Sequence, residues 1–417
     1  MPLSIPSSLR NRRFRYLWLG LVVSMAGSQM QLAAIHWHIR AMSDAPNPLE
    51  LGGIGLARIL PIVLFSFLGG PVADTYDRRS VLFVTQAMMA AVAVALALLT
   101  FSDRIDIWWI YGLTAVQAAA VAFDLPARQA MVPNLVAPRD LPSAFSMSSI
   151  AFNVGAITGP AAGGLVIAGF GLGYAYLFNA LSFAAVIAAL VVIGRVEQDT
   201  TASPGINLGA AADGVRFILS KPIILSSMLL DFVATFFASA NTLMPIVARD
   251  ILHVGEIGYG WLVSAQSVGS VAAAAVVSQM PGIRRQGRTL LVAVGVFGVA
   301  TVAFGLSGSF AAAVVALIVM GAADAVSTII RNTIRQLQTP DSMRGRMSSI
   351  SQIFFQGGPQ LGEAEAGLVA TAFSVPFAII SGGIGTIVAA WLIVTRWPQL
   401  LHYEGHEADA DEVRVET

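Results

Sequence analysis

The 417-residue chain is 56% hydrophobic and only 12% charged, with no net charge and no cysteine. Ordinary soluble domains are about 25% charged, so a single soluble core is excluded and a bilayer is the natural solvent. Neutrality removes any global field for nucleic acid, and the missing cysteines remove disulfides, thiolate metal sites and thiol nucleophiles together.

The N-terminal stretch "LRNRRFRYLWLGLVVSMAG" is basic and then apolar, like a signal peptide, and Arg12-Arg13 resembles a twin-arginine signal. Similar windows follow, so it reads as the first of a set rather than a cleaved leader. Windows of about 20 apolar residues, enough to cross a bilayer, fall at 16–40, 51–73, 80–101, 107–129, 142–168, 173–194, 223–248, 257–279, 289–307, 309–331, 346–371 and 375–397. They predict an all-α membrane protein with twelve transmembrane helices. With the N-terminus inside, 20 of the 24 Lys and Arg residues fall in inner segments, three (Arg40, Arg104, Arg249) in outer loops, and Arg58 within a span. That split obeys the positive-inside rule. One missed span would invert every later loop. Both termini are therefore expected on the cytoplasmic side of the cell (inner) membrane.

The expected organisation is a six-helix half at 1–194, a cytoplasmic linker at 195–222, a second half at 223–397 and an acidic tail at 398–417. Leu208, Val215, Phe217 and Ile218 give the linker an amphipathic helix on the membrane surface. The only lysine, Lys221, precedes Pro222, so no Gly-Lys-Ser/Thr phosphate loop exists and any transport runs without a nucleotide site of its own.

The halves repeat. Met-Ser-Ser-Ile occurs at 147–150 and 347–350. An aspartate, Asp124 or Asp324, lies 23 residues before each Met, and Gly159-Pro160 or Gly358-Pro359 follows. An internal duplication with both halves in one orientation explains the order. Four spans carry polar residues at helical spacing: Ser24, Ser28, Gln31 and His38; Thr114, Gln117, Asp124 and Arg128; Asp231, Thr235, Ser239 and Thr242; Asp324, Ser327, Thr328 and Arg331. Steps of three, four and seven keep each set on one helix face. Such groups are costly in hydrocarbon, so the faces read as lining one cavity. The competing reading has the hydroxyls bonding their own helices.

Arg58 in span 2 and Glu363 and Glu365 in span 11 reach similar depth. Arg58 is expected to pair with one glutamate, either as an outer gate or as a static tie between two helices. His36 and His38 do not share a face. His402 and His406 are four apart in the acidic tail, where no metal site is expected.

The stretch "GGPVADTYDRRSVL" at 69–82 carries Gly70, Ala73, Asp74, Arg78, Arg79 and Leu82 at the spacing Gly-x-x-Ala-Asp-x-x-x-Arg-Arg-x-x-Leu. It resembles the loop 2–3 signature of the major facilitator superfamily. It departs at Thr75, where a basic residue is usual, and at Asp77, where glycine is usual. The acid at Asp77, "PARQAMVPNLVAPRDLPSAFSMSSIAFNVGAITGPAAGG" at 126–164 and "LGEAEAG" at 361–367 resemble the enterobactin-exporter-like and macrolide-efflux-like branch. "GAITGPAAGG" at 155–164 resembles the helix 5 motif of antiporters through Gly155, Gly159, Pro160, Gly163 and Gly164, with Ser146 where another glycine is usual. Plain helix packing explains most of that motif.

The resemblance spans nearly the whole chain. It implies two pseudo-symmetric six-helix halves, a cavity lined by helices 1, 4, 7 and 10, and alternating access driven by a proton gradient with no bound cofactor. Asp74 is expected to meet the start of helix 11 as an inner latch. The implied function is export of an amphipathic small molecule (a drug, siderophore or metabolite) by a monomer in the lipid bilayer. Import or lipid transport by the same fold is the alternative, and a receptor or intramembrane enzyme is a further one. Asp231 and Asp324 lead the candidates for proton coupling; Asp124, Gln31, Gln117 and Thr235 complete the polar set.

Overall fold

The structure, a computed structural model, describes residues 6–196, 215–280, 283–340 and 343–405. Among these residues there are no strands. The long helices are α1 (Arg12–Ala41), α2 (Pro48–Thr75), α3 (Arg78–Phe101), α4 (Ile107–Leu135), α5 (Leu141–Phe170), α6 (Leu172–Ile193), α7 (Pro222–Phe237), α8 (Gly255–Val277), α9 (Gln286–Gly305), α10 (Phe310–Leu337), α11 (Arg344–Ala372) and α12 (Val375–Arg396). A short α13 (Gln399–His402) follows. Eleven helical segments among the described residues are long and apolar enough to span a bilayer. α11 is not among them, because Gln356, Gln360, Glu363 and Glu365 dilute its apolar run. Large apolar side chains such as Leu60 (71% exposed) and Trp108 (75% exposed) point outward, as lipid-facing surfaces require. The chain is a multi-pass membrane protein.

Helix starts follow from local chemistry. Asn11, Asp106, Ser309 and Ser374 each accept a hydrogen bond from a first-turn amide of α1, α4, α10 or α12. Pro142, Pro222 and Pro376 occupy first-turn positions whose amide has no helical partner anyway. Gly171, with φ +96°, makes a one-residue corner between α5 and α6.

Span 7 is not the continuous helix expected over 223–248. Beyond Phe237 it becomes a 3-10 turn (Ala240–Leu243), a helical step (Met244–Ile246) and a π turn (Val247–Ile251). Pro245 has no amide to donate to Asn241, and its ring crowds that carbonyl.

The chain divides into two compact units. The first holds α1–α6 with residues 244–264; the second holds α7, α8 from residue 265 onward, and α9–α13. In the first unit α1 packs on α5 and α6, α2 on α4, and α3 on α4 and α6. Phe14, Leu17, Met131, Leu135 and Leu190 share its core. In the second, α9 packs on α10 and α12, and α7 on α11 and α12, around Leu230, Leu290, Ile330 and Ile334. Of the expected linker helix, residues 215–220 are helical, and Ile218 is buried with Ile224, Met228 and Met347. The remainder, 197–214, lies outside the described residues.

Candidate functional site

Each unit buries an aspartate–arginine cluster on its fourth long helix, α4 or α10, and the two differ in how tightly the carboxylate is held. In the first, Asp124 of α4 has a side chain 1% exposed. Its Oδ1 accepts from Thr85 Oγ1 at 3.0 Å and Gln86 Nε2 at 2.7 Å, both from α3. Its Oδ2 accepts from Arg128, one turn further along α4. Three donors from two helices leave this carboxylate no freedom.

In the second unit, Arg331 of α10 forms an ion pair with Asp231 of α7 at 2.9 Å. It also donates to Ser327 Oγ at 2.7 Å and Thr328 Oγ1 at 2.8 Å. Asp324 stands 3.7 Å from the same guanidinium nitrogen. Arg331 and Asp231 are 3% and 5% exposed in their side chains, whereas Asp324 is 37% exposed. One buried guanidinium thus faces two carboxylates and grips one. The duplicated spans explain the difference. Asp124 has an arginine four residues on; Asp324 has Thr328 there, and its arginine comes seven residues on. Arg331 therefore reaches across to α7.

Gln31 of α1 and Gln117 of α4 form a ladder with Asn179 of α6. Asn179 of α6 donates to Gln31 Oε1 at 2.7 Å, and Gln31 donates to Gln117. Ser182 adds a bond to Asn179 Oδ1 at 2.8 Å. Asn179 was not singled out from sequence; a lone asparagine in an apolar span was its only signal. Thr235 donates to the Asp231 carbonyl of its own helix at 2.8 Å, the intrahelical alternative to lining a cavity. His38 bonds the Tyr176 hydroxyl at 3.0 Å.

A third cluster lies where α1 ends. Arg40 at the end of α1 forks onto both carboxylate oxygens of Asp250, with Nε to Oδ2 at 2.6 Å, and is 2% exposed in its side chain. Arg249 donates to the Arg40 carbonyl at 3.3 Å. Nearby, Tyr259 of α8 donates to the Ala33 carbonyl at 3.1 Å and stacks on Trp37 at 5.2 Å. Arg40 and Asp250 were missed because residues near span ends read as loop charges.

The helix 5 motif packs against the same elements. Gly155 and Gly159 lie against the α1 backbone, where a Cβ on Gly159 would sit 2.5 Å from the Ala26 oxygen. Gly163 faces Met30. A Cβ on Gly164 would sit 2.5 Å from the Glu256 oxygen, and Gly260 meets the Pro160 carbonyl equally closely. Gly159→Leu is expected to cost about 1–3 kcal/mol by overpacking, read as a lowered melting temperature; an unchanged transition would show that α1 and α5 separate without cost.

In the loop between α2 and α3, Asp77 caps α3, accepting from the Ser80 amide at 3.1 Å and its hydroxyl at 2.5 Å. The residue that departs from the family pattern thus has a local role. Arg78 donates to the Ala73 and Ala130 carbonyls and to Asn134 Oδ1 at 2.7 Å, and Arg79 donates to the Leu190 carbonyl at 2.8 Å. Gly70 has open space where a Cβ would point. The side chain of Asp74 lies outside the described residues. Arg58 lies in α2 of the first unit, and Glu363 and Glu365 in α11 of the second. His406 also lies outside the described residues, among which no cluster of three or more His, Asp or Glu can hold a metal.

Comparison with known proteins places this geometry. The family described as transmembrane secretion effector matches residues 4–411. The multidrug efflux pump Tap of Mycolicibacterium fortuitum is 25% identical, over 83% of this chain and 86% of Tap. The enterobactin exporter EntS of Salmonella typhimurium is 26% identical, over 91% of each. Among solved structures, a bacterial homologue of the lysosomal transporter Spinster, inward-facing and occupied, superposes with a TM-score of 0.70 at 14% identity, covering 95% of this chain and 99% of that one. A bacterial homologue of the iron transporter ferroportin, inward-facing, gives 0.66 at 16% identity, covering 92% and 98%. At those identities the structural likeness concerns the fold.

Proposed function

Given that the chain belongs to the transmembrane secretion effector family of major facilitator transporters, we propose that it exports an amphipathic small molecule in exchange for protons. The family's members are membrane transporters and not enzymes. The observation that carries the coupling is Arg331 held between Asp231 and Asp324. A proton on Asp324 leaves Arg331 to Asp231 alone. Its loss places a second anion beside the same guanidinium, which changes the tie between α7 and α10. Coupling requires that proton and substrate favour different states, and a shared cation supplies such a difference.

The substrate class follows from chemistry beside that cluster. Phe232, next to Asp231, lies 6.0 Å from Phe236 and 5.9 Å from Phe354, centroid to centroid. Rings beside charge suit a molecule with apolar and polar parts, and Tap and EntS are named for exporting drugs and a siderophore. Arginine placement supports both termini on the cytoplasmic side. Energised inside-out vesicles are expected to accumulate such a compound. Accumulation only in right-side-out vesicles would make the chain an importer.

Arg40–Asp250 belongs to this reading as an outer clamp. Residues 244–264 must leave α1 and α5 for the outer side to open, and the forked pair opposes that. Arg40→Gln is expected to raise the outward-open population roughly tenfold, from loss of about 1.5 kcal/mol of charge-assisted bonding. With no native cysteine to remove, paired spin labels at the outer span ends can measure it. An unchanged distance distribution would assign the pair a purely static role.

A further inference from the structure

A groove among α8, α9 and α10 in the second unit stands apart from the ion cluster. Its volume is about 510 Å³, within the roughly 300–1,000 Å³ of ligand pockets. Ala273, Val276, Val277 and Met280 form one wall and Val326 another, and Thr289 brings the only hydroxyl among its lining residues. Val326 follows Asp324 by two residues, roughly 200° around the helix at 100° per residue, so the groove and the carboxylate occupy opposite sides of α10.

Cationic residues flank the groove in the sequence. Two lining residues, Ile283 and Thr289, bracket Arg284, Arg285 and Arg288, and all three arginines are exposed. None forms an ion pair among the described residues. No aspartate or glutamate occurs between Glu256 and Asp324, and Glu404, in the segment packed on the start of α9, is exposed and forms no ion pair among the described residues. Arg285 precedes the first turn of α9 and makes no side-chain cap; the Gly287 amide of that turn donates to the Tyr403 carbonyl at 2.9 Å.

An apolar slot whose lining residues flank three exposed guanidiniums, none in an ion pair among the described residues, complements one molecule of the bilayer. A neutral lipid would fill the slot and leave the arginines unmatched; a soluble anion would match the arginines and leave the slot empty. We propose that the groove seats one acyl chain of an anionic phospholipid whose phosphate is held by Arg284, Arg285 and Arg288. The site is independent of the proton-coupling cluster, so either reading can fail without the other.

Native mass spectrometry of the full-length protein, exchanged into phosphatidylglycerol or phosphatidylcholine, tests this. The unaltered protein is expected to retain phosphatidylglycerol about tenfold better. Replacing the three exposed arginines together (Arg284→Gln, Arg285→Gln, Arg288→Gln) should erase the preference. Ala273→Trp, which fills the slot and spares the arginines, should lower retention of both lipids about tenfold. Val276→Trp, at a more exposed wall position, serves if that variant does not fold. Equal retention of the two lipids by the unaltered protein overturns the proposal. So does undiminished phosphatidylglycerol binding in the groove-filled variant, which would place the headgroup without the chain. Binding that emerges only after removal of residues 406–417 would assign the arginines to the acidic tail and overturn it equally.

Discussion

Asp324→Asn is expected to lower proton-driven export by more than about tenfold, the scale of typical coupling between two ligands, while the protein stays folded and still binds substrate. Asp324 is the exposed member of its cluster and lies 3.7 Å from Arg331, whose firm partner at 2.9 Å is Asp231. Removing the Asp324 charge takes away a titrating group and leaves the buried ion pair whole. Asp124→Asn supplies the contrast. That carboxylate takes three donors and is 1% exposed. Its loss strands Arg128 and should lower thermal stability, with coupling kept in the protein that folds. Counterflow and gradient-driven uptake, measured side by side in both variants, separate the cases. Equal loss of coupling in both would mean that the difference between the halves has no functional consequence.

Arg331→Met is expected to have the largest effect on stability. It leaves Asp231, 5% exposed in its side chain, buried without its cation, and removing one partner of a buried pair costs about 3–5 kcal/mol. The same change frees Ser327 and Thr328 from their donor. A second substitution, Asp231→Asn, should recover most of the loss, because a neutral amide needs no counter-charge. Melting temperatures of the single and double variants in detergent report this directly. A single variant as stable as the parent would show that Asp231 is already neutralised by another group.

The spans were legible because bilayer thickness fixes their length. Eleven of the twelve windows became unbroken helices with ends within a few residues, and the positive-inside split depended on their number rather than their edges. Span 7 was misread because hydropathy is blind to backbone donors: Pro245 interrupts the helix without interrupting the apolar run. The aspartates were legible through the duplication. Their environments were not, since the arginine seven residues after Asp324 looks as local as the one four residues after Asp124. Only the packing of α10 on α7 shows that Arg331 serves Asp231. Asn179 and the Arg40–Asp250 fork escaped because each depends on a partner more than a hundred residues away. Asp77 went the other way: a departure from the family pattern proved to be a helix cap, a role its spacing to Ser80 already allowed.

One arginine shared between two carboxylates is proposed to link proton movement to export. Substrate-dependent proton flux in liposomes holding the purified protein tests it most directly, with the interior pH followed as an exportable amphiphile is added. A pH change in response to substrate is expected in the parent protein and in Asp124→Asn, and none in Asp324→Asn despite retained substrate binding. Undiminished substrate-driven proton flux in Asp324→Asn would contradict it.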